Sequence, residues 1–151
     1  MSTTVDFVAV ANSIAALTFT GASGTITVKD IHEIASTIGL DDHILSPMPE
    51  NFISGVEITR DELSGQLLVL KYILAYRYYH CKLGGDLFAN YSNMVTNAAA
   101  ILLAFASDVT LTGAVDNGEA QITAFGPVND PAGIGYHGFD LTVAITQFLE
   151  V

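Results

Sequence analysis

The sequence has 151 residues, 50% of them hydrophobic and 14% charged, with a formal net charge of −11 at pH 7. A chain of this length fits one domain with its own core, and the high apolar fraction favours some surface left over for partner subunits. Its five Lys and Arg residues, none of which follows Lys82, exclude tight binding to nucleic acid or anionic lipid, because both require clustered cations.

The cysteine content and the N-terminal sequence indicate the cellular compartment. The lone cysteine, Cys81, cannot form an intrachain disulfide, so the predicted fold does not depend on oxidation. The N-terminus lacks the cationic start of a signal peptide. The longest unbroken apolar run, Ala98 to Ala106, is too short to cross a bilayer. We therefore expect a protein made in a reducing cytoplasm, with no membrane partner.

The first third of the chain carries a helical pattern followed by strand and loop signals. Apolar residues recur at helical spacing from Thr4 to about Thr18, and Thr3 or Thr4 is the predicted N-cap. Alternation predicts a short strand at Thr25–Lys29. Glycine and proline content then predicts a loop from Asp30 to Asn51, with one helical turn around Ile31–Ile38.

The middle of the chain predicts a long strand and a long helix. A strand at Phe52–Arg60 and a turn at Asp61–Gly65 precede Gln66–Leu83, where aromatic and β-branched alternation favours a strand over a helix. Leu87–Ser107 has the clearest helical period, with Asp86 as its cap. Its predicted apolar stripe consists of Leu87, Tyr91, Met94, Val95, Ala98, Ile101, Leu102 and Phe105.

The last third of the chain alternates strand and turn signals. Its predicted strands are Val109–Val115, Gln121–Phe125 and Phe139–Val151. Its predicted turns are Asp116–Glu119, which contains the hairpin signal Asn117-Gly118, and the Pro/Gly-rich stretch Gly126–Gly138. Two principal helices and five or six strands with short connections predict one α+β domain over residues 1–151. We expect a two-layer sandwich in which both helices pack on one face of a mainly antiparallel sheet.

No motif in the sequence calls for catalysis. No two histidines stand at a metal-ligand spacing with a third donor, and Gly133–Gly138 neither opens a helix nor contains a lysine, as a phosphate-binding loop would. The neighbouring acids Asp41-Asp42 and Asp61-Glu62 fit solvated turns better than a catalytic pair. The sequence therefore predicts no enzyme, no cofactor, and no catalytic or metal site.

The order of these features resembles the tail terminator, or tail-completion, proteins of long-tailed, non-contractile bacteriophages. The resemblance covers nearly the whole chain. It rests on the helix–strand layout, the Ala-rich helix and the following segments: Ser46-Pro-Met-Pro-Glu-Asn-Phe52, Tyr72–Tyr79, Phe125-Gly-Pro-Val-Asn-Asp-Pro-Ala-Gly133 and Tyr136-His-Gly-Phe139. It implies a structural virion protein of the neck that forms a ring, expected to be a hexamer, around the DNA channel. Its implied partners are further copies of itself, the tail tube protein, and the head–tail connector or stopper.

Two groups of residues become candidate sites under this resemblance. Candidate acidic residues facing a DNA channel, which would repel passing DNA rather than bind it, are Asp116, Glu119, Asp130 and Asp140. Candidate subunit-interface loop residues are Pro47, Pro49, Phe52, Pro127, Pro131 and Tyr136.

Two other functions fit the sequence less well. The first is another neck component, a connector or stopper, with the same virion location. The second is a small ligand-binding domain or enzyme that uses a pocket between helix and sheet, for which the sequence offers no convergent polar set. A native mass measurement separates the terminator from the ligand-binding domain, because a closed hexamer favours the first and a monomer or dimer favours the second.

Overall fold

The elements of the fold are known from a computed structural model that describes residues 4–30, 43–60, 67–83 and 87–150. In chain order these residues form α1 (Phe7–Ala15), β1 (Ile26–Val28), β2 (His43–Pro47), β3 (Ile53–Arg60), β4 (Leu67–Lys82), α2 (Leu87–Ser107), β5 (Asn117–Asn129) and β6 (Gly135–Glu150).

The six described strands form one mixed sheet, in which five strands follow the order β1-β2-β4-β6-β5 and β3 pairs with β4 outside that order. β4 pairs antiparallel with β6 along its whole length, from Leu67 opposite Glu150 to Lys82 opposite Tyr136. The other edge of β4 is therefore shared: β3 pairs with residues 68–74 and β2 with residues 76–79. Among the strand pairs in the described ranges, only β1 and β2 run parallel. Gly138 lies at the irregularity between β4 and β6, where a Cβ would overlap the carbonyl of Tyr78, so this position requires glycine.

One core lies between the helices and the sheet. Alternate residues of β4 point into it, and they are completely or almost completely buried: Leu70, Tyr72, Leu74, Tyr76 and Tyr78. Their neighbours on β6 are Phe139, Leu141, Val143, Ile145 and Leu149. The helices contribute Val10, Ala11 and Ile14 from α1 and Met94, Ala98, Ile101 and Phe105 from α2. Both helices thus cover the same sheet face, which confirms the predicted α+β sandwich.

The opposite sheet face, called the open face below, has no helix over it among the described residues. A small second cluster covers its end near the start of β6, where Tyr79 packs edge-to-face on Tyr136 at 5.3 Å between ring centroids. The rest of the face is less covered, and Ile73 keeps 40% of its side chain exposed.

Two details in the first half of the chain differ from the predictions. The N-cap of α1 is Asp6, not Thr3 or Thr4, because its Oδ1 accepts a hydrogen bond from Ala9 N at 3.0 Å. A strand, β2, occupies the end of the predicted loop. It ends on Pro47, which has no N–H to donate to a longer ladder. The predictions for Ile31–Ile38, Asp61–Gly65 and Asp86 lie outside the described residues.

The connection from α2 to β5 contradicts the predicted strand at Val109–Val115. This segment is a series of turns in which Leu111 and Thr112 adopt positive φ angles of 49° and 57°. Asp108 supports them, because its carboxylate accepts from the N–H of Thr112 at 2.9 Å and from its hydroxyl at 3.0 Å. A helix-to-strand reversal, rather than β-propensity, determines the backbone here.

The predicted hairpin turn at Asn117-Gly118 is also wrong, because both residues belong to β5 and pair with Thr146 and Ile145. The reversal between β5 and β6 lies at Asp130–Ile134. There the Asp130 carboxylate accepts from the N–H groups of Ala132 at 3.0 Å and Ile134 at 2.9 Å. An aspartate that satisfies two turn amides outweighs the local preference of Asn-Gly.

The buried face of α2 is rotated relative to the predicted stripe. Met94, Ala98, Ile101 and Phe105 are buried as expected, but Tyr91, Val95 and Leu102 are 48%, 42% and 37% exposed. Asn97 takes their place and is completely buried. Its amide forms hydrogen bonds across the core, so a polar residue lies on the face that apolar periodicity alone would not assign to it.

The observed orientation of α2 predicts different losses of stability when Ile101 and Leu102 are each replaced by alanine. We expect Ile101→Ala to lower the free energy of unfolding by about 2–5 kcal/mol, since it opens a cavity in the core. Leu102→Ala is the matched control, and we expect it to cost about 1 kcal/mol or less because the side chain is partly exposed. Urea denaturation of the two variants measures both values. Equal losses would contradict the assigned helix orientation.

Candidate interaction surfaces

The outward side of α2 is uncharged and largely apolar, with Ser92, Asn93 and Thr96 as exposed polar residues. The sequence from Leu87 to Ser107 contains no charged residue, although the whole chain carries a net charge of −11. The surface called the α2 outer face consists of Tyr91, Val95, Ala99, Leu102 and Leu103, and all five are exposed. Leu103 keeps 54% of its side chain exposed. Because surface helices normally turn charged residues to water, this face has the composition of a contact surface.

Shallow grooves flank the α2 outer face on both sides. On one side, Val95, Ala99 and Leu103 line a groove of about 400 Å³ together with Thr20 and Gly21. On the other side, Leu102, Ala106 and Val109 line a groove of about 440 Å³ beside Gly118–Ala120 of β5. The helix therefore forms a ridge between two apolar depressions, which is a shape that another surface can interlock with.

β3 is a second uncovered surface. Every residue from Ser54 to Arg60 is exposed, and Val56 and Ile58 each keep 54% of their side chains accessible. β3 pairs only with β4, so its other edge has no partner strand within the described ranges. Exposed edge strands with apolar side chains are surfaces that proteins usually cover. β3 and the adjacent Ile73 are called the β3 surface below.

All four candidate channel acids have contacts within the chain, and that of Glu119 is the longest. Asp116 Oδ2 accepts from Phe148 N at 2.6 Å, and Asp130 is buried in the β5–β6 turn that it stabilises. Asp140 forms a two-bonded ion pair with Arg77, at 2.7 Å from Nε and 3.1 Å from Nη2. Glu119 is exposed on β5, where Asn117 Nδ2 lies 3.4 Å from its Oε1. That these acids face a channel stays a prediction.

The Arg77–Asp140 pair joins a late acidic residue to an earlier cation. No Lys or Arg follows Lys82, so no late acidic residue has a cationic neighbour in sequence. The β4–β6 register places Arg77 directly opposite Asp140, so a cation from the preceding strand of the pair neutralises it. The hydrogen bonds that Arg77 donates to Asp140 raise the pKa of Arg77 above its ordinary value.

The candidate interface residues divide into exposed and buried groups. Pro49 and Pro131 are exposed and line one cleft of about 170 Å³, together with Arg77 and Tyr79. The fold thus brings together two loops that lie far apart in sequence. Pro127 is exposed but belongs to β5 rather than to a loop.

The other three candidate interface residues are already covered within the chain. These are Pro47, Phe52 and Tyr136. Phe52 packs edge-to-face on Tyr76 at 5.4 Å, and Tyr136 is 2% exposed. Such side chains have little surface left to bury against a neighbour, so their first role is in the subunit's own core.

A buried polar network escaped the sequence analysis. Asn97 Nδ2 donates to Tyr78 Oη at 2.8 Å, and Tyr78 Oη lies 2.8 Å from His80 Nδ1. The same Asn97 amide accepts from Ser23 N at 2.7 Å and donates to Ser23 O at 3.2 Å. His80 is 4% exposed, and burial, followed by the nearby His43, lowers its pKa to about 4. The alternation of β4 does place Tyr78 and His80 on one face, which is the signal that could have linked them.

Two classes of function find no support within the described ranges. No three His, Cys, Asp or Glu side chains there are grouped so that they could hold a metal ion. Neither described helix combines the length and the hydropathy needed to span a membrane.

No family model matches the sequence, and no curated protein matches it. The function is therefore inferred from the sequence and from the surfaces described above.

The structural role of Asp140 predicts a difference between two of the acids. We expect Asp140→Ala to lower the free energy of unfolding by about 1–3 kcal/mol, because it leaves the Arg77 guanidinium without its charged acceptor. Glu119→Ala is the matched control, with an expected change within about 0.5 kcal/mol. Chemical denaturation at low salt measures both. A neutral Asp140→Ala variant would show that the ion pair contributes nothing to stability.

Proposed function

We propose that this protein is a structural subunit of a bacteriophage tail, forming a closed ring of identical copies that ends the tail tube and joins it to the connector. The observation that carries the self-association is the α2 outer face, an uncharged apolar helix surface on a strongly acidic protein. The place in the virion, the hexamer and the tube and connector partners come from the resemblance of the sequence to tail terminator proteins.

The surface charge favours a second copy of the chain as the partner that covers the α2 outer face. Copies that each carry a net charge of −11 repel one another, and the repulsion is weakest where the meeting surfaces carry no charge. The α2 outer face meets that condition along its whole length. Burying it removes from water the parts of Tyr91, Val95, Leu102 and Leu103 that are still exposed, 37–54% of each residue. Each therefore contributes only part of the roughly 1.5–3 kcal/mol that complete burial of a side chain of this size gives.

The presence of two different uncovered surfaces favours a ring over a simple dimer. In a two-fold dimer both copies use the same patch, whereas a ring requires two unlike patches that meet head to tail. The α2 outer face and the β3 surface are unlike patches on separate elements, one helical and one an exposed strand edge. Each copy can therefore offer one surface to the neighbour on either side.

A passage for DNA is compatible with the charge of the protein. The duplex carries one phosphate charge per about 1.7 Å of its axis, so a channel wall with few free cations does not hold it. One of the five cations, Arg77, is already paired with Asp140. Glu119, exposed on β5, is the best placed of the four candidate acids to meet passing DNA.

Native mass spectrometry over a range of concentrations tests the proposed ring. The wild type is expected as one closed species, with six copies as the expected number. Leu103→Asp is expected to shift it to monomer with an unchanged circular dichroism spectrum, since a carboxylate in the contact costs several kcal/mol. Val8→Asp, at a 37% exposed position of α1, is the matched control and should leave the ring intact. A wild type that stays monomeric at every concentration would contradict the proposal, as would a Leu103→Asp variant with the wild-type mass.

A further inference from the structure

The hydrogen bonds around Tyr78 determine the protonation state of His80. The Tyr78 hydroxyl has one proton, and its oxygen already accepts from Asn97 Nδ2. Tyr78 is completely buried, and His80 Nδ1, at 2.8 Å, is the acceptor that the structure provides for its proton. In this arrangement Nδ1 is the acceptor, so His80 is neutral and its proton lies on Nε2, a buried atom.

The surroundings of His80 oppose a positive charge. His43 of β2 stacks on its ring with 4.2 Å between centroids and 3° between planes, and His43 Nδ1 lies 3.0 Å from His80 O. His137 of β6 adds repulsion when it is charged, whereas the backbone of Asn90 on α2 favours the protonated form. Tyr78 and Cys81 are the other titratable neighbours, and burial raises the pKa of each, so both stay neutral. Among the described residues that act on His80, none is a carboxylate.

The network connects three parts of the fold through one imidazole. Asn97 belongs to α2, Ser23 precedes β1, and Tyr78 and His80 belong to β4. A proton added to Nδ1 would point at the Tyr78 hydroxyl proton, and the hydroxyl would have to turn towards a buried region that offers it no described acceptor. The Asn97 amide would then lose its place between Tyr78 and Ser23.

We propose that His80 is an acid-sensitive link between α2 and the sheet, and that its protonation releases α2 and the segment before β1 from β4. The release changes the element that carries the α2 outer face, but the proposal does not depend on what that face binds. The linkage between protonation and folding gives the direction of the pH effect on stability. Because folding lowers the pKa of His80 from 6.5 to about 4, the link stabilises the fold above pH 6.5 and is lost as the pH falls towards 4.

The net charge makes this effect separable from general acid unfolding. Mild acidification protonates some of the 16 Asp and Glu residues and so relieves the self-repulsion of a chain with net charge −11. That general effect stabilises the protein between pH 7 and pH 5. A loss of stability in the same range has the opposite sign, and it is assigned to His80 when the His80→Asn variant lacks it.

Chemical denaturation between pH 7 and pH 4 tests the link. The wild-type folding equilibrium constant is expected to fall most steeply near about pH 5, between the pKa values of 6.5 and about 4, where the fall approaches tenfold per pH unit. In His80→Asn the Asn Oδ1 replaces Nδ1 as acceptor but does not titrate, so this variant should lose the fall. His137→Asn is the control and should keep it, because His137 is outside the hydrogen-bonded network. A wild type whose stability is flat or rises towards pH 4 would overturn the proposal, as would an equal fall in His80→Asn.

A second measurement keeps the proposal testable if His80→Asn does not fold. Nuclear magnetic resonance of the wild type follows the His80 ring and the Asn97 side-chain amide during a pH titration. We expect His80 to titrate below pH 5, with the Asn97 amide protons shifting at the same midpoint. Titration of His80 near pH 6.5 with an unchanged Asn97 amide would overturn the link.

Discussion

The antiparallel pairing of β4 with β6 is the constraint on which the rest of the structure depends. It runs from Leu67 opposite Glu150 to Lys82 opposite Tyr136 and fixes which side chains share a face. Tyr72, Leu74 and their β6 neighbours point to the helices, whereas Arg77 meets Asp140 on the open face. A one-residue slip would turn the core tyrosines to water and separate the ion pair.

The exposed apolar surfaces on α2 and β3 follow from this arrangement. The two described helices cover one sheet face, and α2 presents a single arc to it, which includes the polar anchor Asn97. The remaining arc of α2 is uncharged and largely apolar, so folding of the single chain leaves Leu102, Leu103 and their neighbours only partly buried. The same lack of cover leaves β3 exposed at the sheet edge. Association of copies would complete the burial that the single chain leaves unfinished.

Sequence patterns predicted the parts of the fold that are set by long, regular periods. The alternation in β4 and the helical period of α2 identified both elements within one residue of their ends. The sequence predicted a turn within Gly126–Gly138, where the β5–β6 reversal lies. The strong local signal Asn117-Gly118 wrongly added a second turn, and the two N–H groups that Asp130 satisfies in the actual turn are seen only in the structure. The orientation of α2 was missed because a buried Asn97 has no signature in apolar periodicity. Of the candidate sites, the approach of Pro49 to Pro131 required the three-dimensional register.

Hydroxyl-radical footprinting of the assembled protein tests the central claim, that the α2 outer face is the surface on which copies meet. The account predicts that Tyr91, Val95 and Leu103 lose reactivity on assembly, because a neighbour excludes water from them. Val5 and Val8, which are 43% and 37% exposed near the N-terminal end of α1, should keep theirs. Unchanged reactivity along α2 in an assembled ring would contradict the account and place the contact elsewhere on the subunit.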